Sequence, residues 1–139
     1  MRWGVYMQEK ERIIIKYRDL AGEPGKSPYD SMNYLLDRDD FPVVFGHKLV
    51  KLASVIFPEM KHIDTVYARL IRKYGKLNED KSQFLVDANS ADGLKFSEEY
   101  EKFLDQELIL EVEKINLSEI AEYKIKPKHL NNLRHFIKD

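Results

Sequence analysis

Gly25-Lys26-Ser27 is the first place in this chain where residue types and spacing suggest chemistry. It follows the apolar run Ile13–Ile15 and precedes a helix start, the context of a phosphate-binding loop. Such a loop needs a glycine five residues before its second glycine, and that position here is Leu20. It also cradles phosphate with consecutive backbone amides at the helix start, and Pro28 deletes one of those donors. Phe84-Leu85-Val86-Asp87 has the look of a magnesium-holding strand end, but one short run does not make a nucleotide site. The segment reads as a helix-capping turn.

The histidines are His47, His62, His129 and His135. A helical zinc pair wants ligands three or four residues apart, with further ligands nearby. His129 and His135 are too widely spaced, and His62 and Asp64 point away from each other on a helix. Surface or edge histidines are the expectation, with no metal and no cofactor. Hydrolysis would need Ser or Thr beside a base and an oxyanion site, and no Gly-x-Ser-x-Gly elbow exists. Carboxylates are too common to single out an acid–base pair. The chain has no cysteine, which excludes disulfides, thiolate zinc sites and cysteine nucleophiles. No enzyme is expected.

Charge is distributed unevenly. Residues 98–113 carry seven acids against one base, Lys102, while the C-terminal stretch carries Lys124, Lys126, Lys128, Arg134 and Lys138. One reading is a solvated acidic face paired with the basic C-terminal helix. The sharper reading makes Glu98, Glu101, Asp105, Glu111 and Glu113 a contact surface for a basic protein partner. Glu98 can pair with Lys102, whereas Glu101 and Asp105 are like charges four apart on a helix. The net charge of −1 gives no general electrostatic case for binding nucleic acid or an anionic membrane. Trp3, Tyr6, Tyr17, Tyr29 and Tyr34 could anchor an interface, but helical spacing favours core packing.

These residues must be positioned by a mainly α fold (α+β minor). The 139 residues suit one domain, and 43% apolar with 34% charged residues suit a packed core under a solvated surface. Residues 9–20 favour a helix because Gln8–Arg12 are strong helix formers, although Ile13-Ile14-Ile15 also suits a strand. Gly22, Pro24 and Gly25 break the pattern. Ser27 then caps a helix, with Pro28 first and Asp30 completing a capping box. Asp40 and Pro42 begin a long amphipathic helix whose apolar positions run Leu49, Leu52, Ala53, Ile56, Met60, Ile63, Tyr67, Leu70 and Tyr74. Pro58 either kinks it or divides it into a helical hairpin, and Gly75 stops it. Residues 76–95 read as loop with one short strand at Phe84–Val86. Glu98–Glu107 is helical, with Ser97 as cap. Leu108–Lys114 alternates like a half-buried strand and needs a partner, either Phe84–Val86 or Lys114–Leu117. One helical turn at Ser118–Tyr123 and a last helix from Pro127 complete a small two-stranded β element packed among helices.

From Phe41 onward the chain resembles a family of short uncharacterised proteins of tailed bacteriophages and prophages of Gram-positive bacteria. The matching parts are the Phe41-Pro42 start of the long helix, its close at Tyr67-Ala-Arg-Leu-Ile-Arg-Lys-Tyr-Gly75, Phe96–Glu107, the strand Leu108–Val112, Ile115–Ile120, Ile125–Leu133 and Phe136–Asp139. Residues 1–40 do not match and would form an N-terminal helical extension of the single domain 1–139. The resemblance implies phage context and a helical hairpin with a small β element, and no activity. It supports a cytoplasmic accessory protein of the bacterial host cell that binds a host, defence or phage protein, as inhibitor, modulator or assembly factor. The alternative is a nucleic-acid-binding regulator using the basic helix Pro127–Lys138, where Asn131, Asn132 and Arg134 are types that read bases. A homodimer seamed along the Leu49–Tyr74 face is a third option. No apolar run reaches the roughly 20 residues of a membrane span, and no signal peptide is read at Met1–Tyr6. Met7 offers an alternative start.

Overall fold

The computed structural model describes residues 10–139; Trp3, Tyr6 and Met7 lie outside that range. The described residues are 56% helical and 15% strand. In order it forms β1 (Glu11–Lys16), α1 (Tyr17–Ala21), α2 (Pro28–Leu36), α3 (Val43–Tyr74), β2 (Lys76–Leu77), β3 (Phe84–Leu85), α4 (Ala91–Leu104), β4 (Glu107–Val112), β5 (Ile115–Asn116), α5 (Leu117–Ile120), α6 (Pro127–Asn132), a 3-10 turn (Arg134–Phe136) and β6 (Ile137–Lys138). The strands make three two-stranded sheets: β1 with β4, β2 with β3, and β5 with β6.

The reading of residues 9–20 as a helix is corrected: residues 11–16 form a strand. Three consecutive β-branched isoleucines are stiff at χ1 and sit well on a pleated surface. Their burial alternates, with Ile13 8% and Ile15 3% exposed and Ile14 61% exposed, the period of a strand with one face inward. β1 also supplies the partner that β4 needs, in place of Phe84–Val86 or Lys114–Leu117. The pairing is antiparallel, with Ile13 opposite Leu110, Ile15 opposite Leu108 and Ile14 opposite Ile109. Ile13, Ile15, Leu20, Met32 and Leu35, from the region read as a helical extension, are therefore part of the core. Leu108, Leu110 and Val112 are buried, as their alternation required.

The inner face of this ribbon shares one apolar cluster with Phe45, Leu49, Leu52, Ile56 and Ile63 of α3, Met32 and Leu35 of α2, and Ile120, Leu133 and Phe136 near the C-terminus. A two-stranded sheet is marginal alone and needs such a support. α2 begins as expected: Ser27 Oγ accepts from Asp30 N at 3.1 Å, and Asp30 Oδ2 accepts from Ser27 N at 3.3 Å. α3 is a single 32-residue helix, so Pro58 neither ends it nor makes a hairpin at that point. The amide that proline lacks would have bonded the carbonyl of Ser54, and both residues are exposed, so water can serve that carbonyl. The helical hairpin is made instead by α3 and α4, which pack together. Gly75 ends α3 as read, donating its N–H to the Ile71 carbonyl at 2.7 Å.

The second half of the chain corrects three further boundaries. α4 starts at Ala91 with Ser90 as cap, Ser90 Oγ accepting from Gly93 N at 3.0 Å, so Ser97 lies inside the helix. Residues 76–85 form a hairpin of two short strands rather than one strand in a loop, with Leu77 opposite Phe84. The last helix stops at Asn132, because Phe136 turns inward to complete burial and Ile137 pairs with Ile115 in a parallel bridge. Pro58→Ala restores a missing helical hydrogen bond at an exposed position; urea unfolding is expected to show a gain of about 1–3 kcal/mol.

Candidate interaction surface

The acids singled out from the sequence fall into two groups, each tied to bases of the same chain. On α4, Arg18 of α1 bridges Asp105 at 3.0 Å and Glu101. One guanidinium thus relieves the like-charge pair. These hydrogen bonds, Glu101 first and then Asp105, raise the Arg18 pKa above its ordinary value. Glu98 pairs with Lys102 at 3.3 Å. On the ribbon, Glu111 lies opposite Arg12 at 3.6 Å, and Glu113 meets Lys51 of α3 at 3.8 Å. The acidic segment is therefore not paired with the basic C-terminal stretch, and the bases facing it come from β1, α1, α3 and α4.

Of the C-terminal residues proposed for base reading, Asn132 is committed elsewhere, while Asn131 and Arg134 are exposed. Asn132 is 6% exposed and donates from Nδ2 to Ser31 Oγ at 2.9 Å. Arg134 donates to the Asn131 carbonyl at 3.0 Å. α6 has only six residues.

The same corner holds an arrangement that sequence reasoning missed. Ser31 Oγ lies 2.9 Å from His129 Nδ1, and the Tyr34 ring stacks on the His129 ring at 4.2 Å between centroids. His129 is 7% exposed, which corrects its reading as a surface or edge residue. Ser31 and His129 are 98 residues apart, and no spacing rule links them. A serine beside a histidine has the parts of a nucleophile and base. Ser31, however, is fully enclosed at 0% exposure, so no substrate reaches its hydroxyl. The arrangement is a buried polar clamp between α2 and α6. Asn132 donates to the hydroxyl, and the assignment that uses the hydroxyl proton has Ser31 donating to a neutral His129. Burial, then Lys128 and Lys126, lower the His129 pKa; burial and Arg134 lower that of His135, whose Nε2 is enclosed without a hydrogen-bond partner among the described residues. His47 and His62 are exposed. Among the described residues no group of three or more His, Asp or Glu is placed to hold a metal ion.

The far end of the α3–α4 hairpin differs in character. No residue from 71 to 92 is buried, yet Leu77, Phe84, Leu85 and Leu94 are large, apolar and 39–66% exposed. They sit on a well-braced frame. Asn78 Oδ1 accepts from Ser82 N at 2.8 Å, Asn78 N–H donates to the Gln83 carbonyl at 3.0 Å, and Asn78 Nδ2 donates to Ser82 Oγ at 2.9 Å. Hydrogen bonds from Ser82 lower the Asp80 pKa. At the base of the hairpin, Lys73 Nζ and Tyr74 Oη donate to one Glu99 oxygen at 2.9 and 2.8 Å, in that order lowering the Glu99 pKa. Tyr67 packs edge-on against Phe96 and Tyr100.

Leu85 and Val86 form a wall between two clefts. One, of about 280 Å³, is lined by Tyr67, Ile71, Phe84, Phe96 and Gly93 among others. The other, of about 490 Å³, lies between Tyr74, Leu77 and Ser90. Gly93 is required by close approach: a Cβ there would stand 2.0 Å from the Asp87 carbonyl oxygen. Such a surface suits contact with another apolar surface better than capture of a charged ligand. The exposed leucines are visible in the sequence, but only the hairpin pairing brings them to one end.

Comparison with family models, with curated proteins and with solved structures finds no match for this chain.

Two outcomes follow. A histidine whose folded pKa lies below its unfolded value makes the unfolded state bind more protons as pH falls. The stability contributed by neutral His129 and His135 is therefore full above the ordinary histidine pKa and is lost as pH drops through the lowered values. Urea midpoints are expected to fall between pH 7.5 and 5, with a slope of at most about 1.4 kcal/mol per pH unit per histidine. His129→Gln should lower stability at pH 7.5 and flatten that slope. Gly93→Ala should push the loop at Asp87–Ala88 away from α4; amide hydrogen exchange is expected to quicken at residues 84–94 and stay unchanged in β1 and β4.

Proposed function

We propose that this chain is a phage- or prophage-encoded accessory protein that acts by binding another protein through the end of its α3–α4 hairpin. The observation that carries this reading is the exposure of Leu77, Phe84, Leu85 and Leu94 on a braced hairpin flanking two clefts. Apolar side chains fixed in this way lose little conformational freedom on binding, and a few such anchors supply most of the affinity of an interface. Of the acids read as a contact surface, Glu98 stands one turn along α4 from Leu94, whereas Glu101 and Asp105 lie towards the other end of the helix against Arg18 and take no part in this surface. Inhibition or modulation of a host or defence protein needs only such a complementary surface. The phage context rests on the resemblance of residues 41–139.

The partner is sought by affinity capture from a nuclease-treated lysate of a Gram-positive host, comparing the native chain with Leu85→Asp and with Ile109→Thr on the ribbon. A stoichiometric protein retained by the native chain and by Ile109→Thr, and reduced at least tenfold by Leu85→Asp at unchanged circular dichroism, is the expected result. Equal retention by Leu85→Asp would overturn the assignment to the hairpin end. Recovery of DNA before nuclease treatment and of no protein after it would overturn protein binding.

A further inference from the structure

α3 carries two apolar faces. One is buried in the core through Phe45, Leu49, Leu52, Ile56 and Ile63, so the seam read along Leu49–Tyr74 is already occupied. The other follows Val43, Gly46, Val50, Ala53 and Phe57, in steps of three and four. At 3.6 residues per turn this stripe flanks the buried face, with Ala53 at its inner edge still in the core and Val43 and Val50 turned outward. Val43 is 88% and Val50 56% exposed. Val50, Ala53, Phe57 and Pro58 form a broad apolar groove with Leu36 of α2, and Lys61 closes its end. A Cβ added at Gly46 would meet nothing within 4 Å, so the small residue leaves open space above the helix.

We propose that a second copy of this chain packs here, its α3 antiparallel to the first about a twofold axis at Val50. The charges at the two ends of the stripe choose the occupant and its direction. Asp39 precedes the helix at one end and Lys61 follows the stripe at the other, both exposed. Neither has an ion-pair partner among the described residues. Neighbouring charges are taken: Asp40 by Arg38 and Lys51 by Glu113. With Val50 against Val50 on the axis, antiparallel register sets Val43 against Phe57 and Gly46 against Ser54, and brings the segment that precedes α3, with Asp39, to the end that carries Lys61. A parallel pair would set Asp39 beside Asp39 and Lys61 beside Lys61. The surface is thus self-complementary, as a twofold interface requires. Gly46 and Ser54 facing each other let the helices approach to the near end of the usual 8–10 Å. This contact uses a different surface from the hairpin end, so either assignment can fail alone.

Sedimentation equilibrium over a concentration series is expected to give twice the 16.5 kDa mass of the chain. Val50→Glu, which puts two carboxylates on the axis, is expected to give the monomer with unchanged circular dichroism. Asp39→Lys and Lys61→Asp singly should each weaken the dimer about 2- to 5-fold, and the double reversal should restore it. The absence of cysteine allows a geometric test. Val50→Cys should cross-link to itself with a short bismaleimide. Val43→Cys should not, since its two copies would be separated by about 20 Å along the axis. A monomer mass at every concentration, a dimer untouched by Val50→Glu, or cross-linking of Val43→Cys in place of Val50→Cys would overturn the proposal.

Discussion

Pairing of β1 with β4 is the interaction on which the other elements depend. It joins Glu11–Lys16 to Glu107–Val112, and it fixes what each neighbour can do. Two strands alone leave one apolar face in water. Here Ile13, Ile15, Leu108, Leu110 and Val112 put that face against the middle of α3, and none of the five is more than 9% exposed. α1 follows β1 directly, which carries Arg18 to α4 and gives Glu101 and Asp105 a shared cation. α4 leads directly into β4, so the direction of the hairpin is set by the strand that follows it. The outer face of the ribbon needs less: Ile14 and Ile109 cover each other between Arg12–Glu111 and Lys16–Glu107 cross-strand pairs.

What the sequence made legible was local. Ser27, Pro28 and Asp30 form a cap whose three parts lie within four residues, and it appears in the structure as read. The long 3.6-residue periodicity identified α3, and the period-two pattern of Leu108–Val112 identified β4. Residues 11–16 failed because their own composition points both ways. Strong helix formers precede three β-branched residues, and the tertiary partner decided between them. Ser97 was read as a cap because Glu98–Leu104 is strongly patterned and Ala91–Lys95 is not. The true cap, Ser90, is recognised by its bond to Gly93.

The site residues divide in the same way. The acids of residues 98–113 are evident as a charge run, but their neutralisation depends on Arg18, Arg12 and Lys51 from distant elements. The Ser31–His129–Asn132 clamp could not be seen at all, since no spacing rule spans 98 residues. The apolar end of the hairpin lay in a segment read as loop, where isolated leucines in a polar stretch carry no periodic signal. Its importance comes from a two-residue pairing that gathers them.

The ribbon also has a consequence in time. Its two strands sit near the beginning and near the end of the chain, so closing it spans a long loop, and pairing at such separation is slow. β1 leaves the ribosome first and has no partner until Val112 has been made. During that interval the three isoleucines and the inward face of α3 stand in water together. The inward faces of β1 and α3 therefore wait for the last third of the chain to be covered.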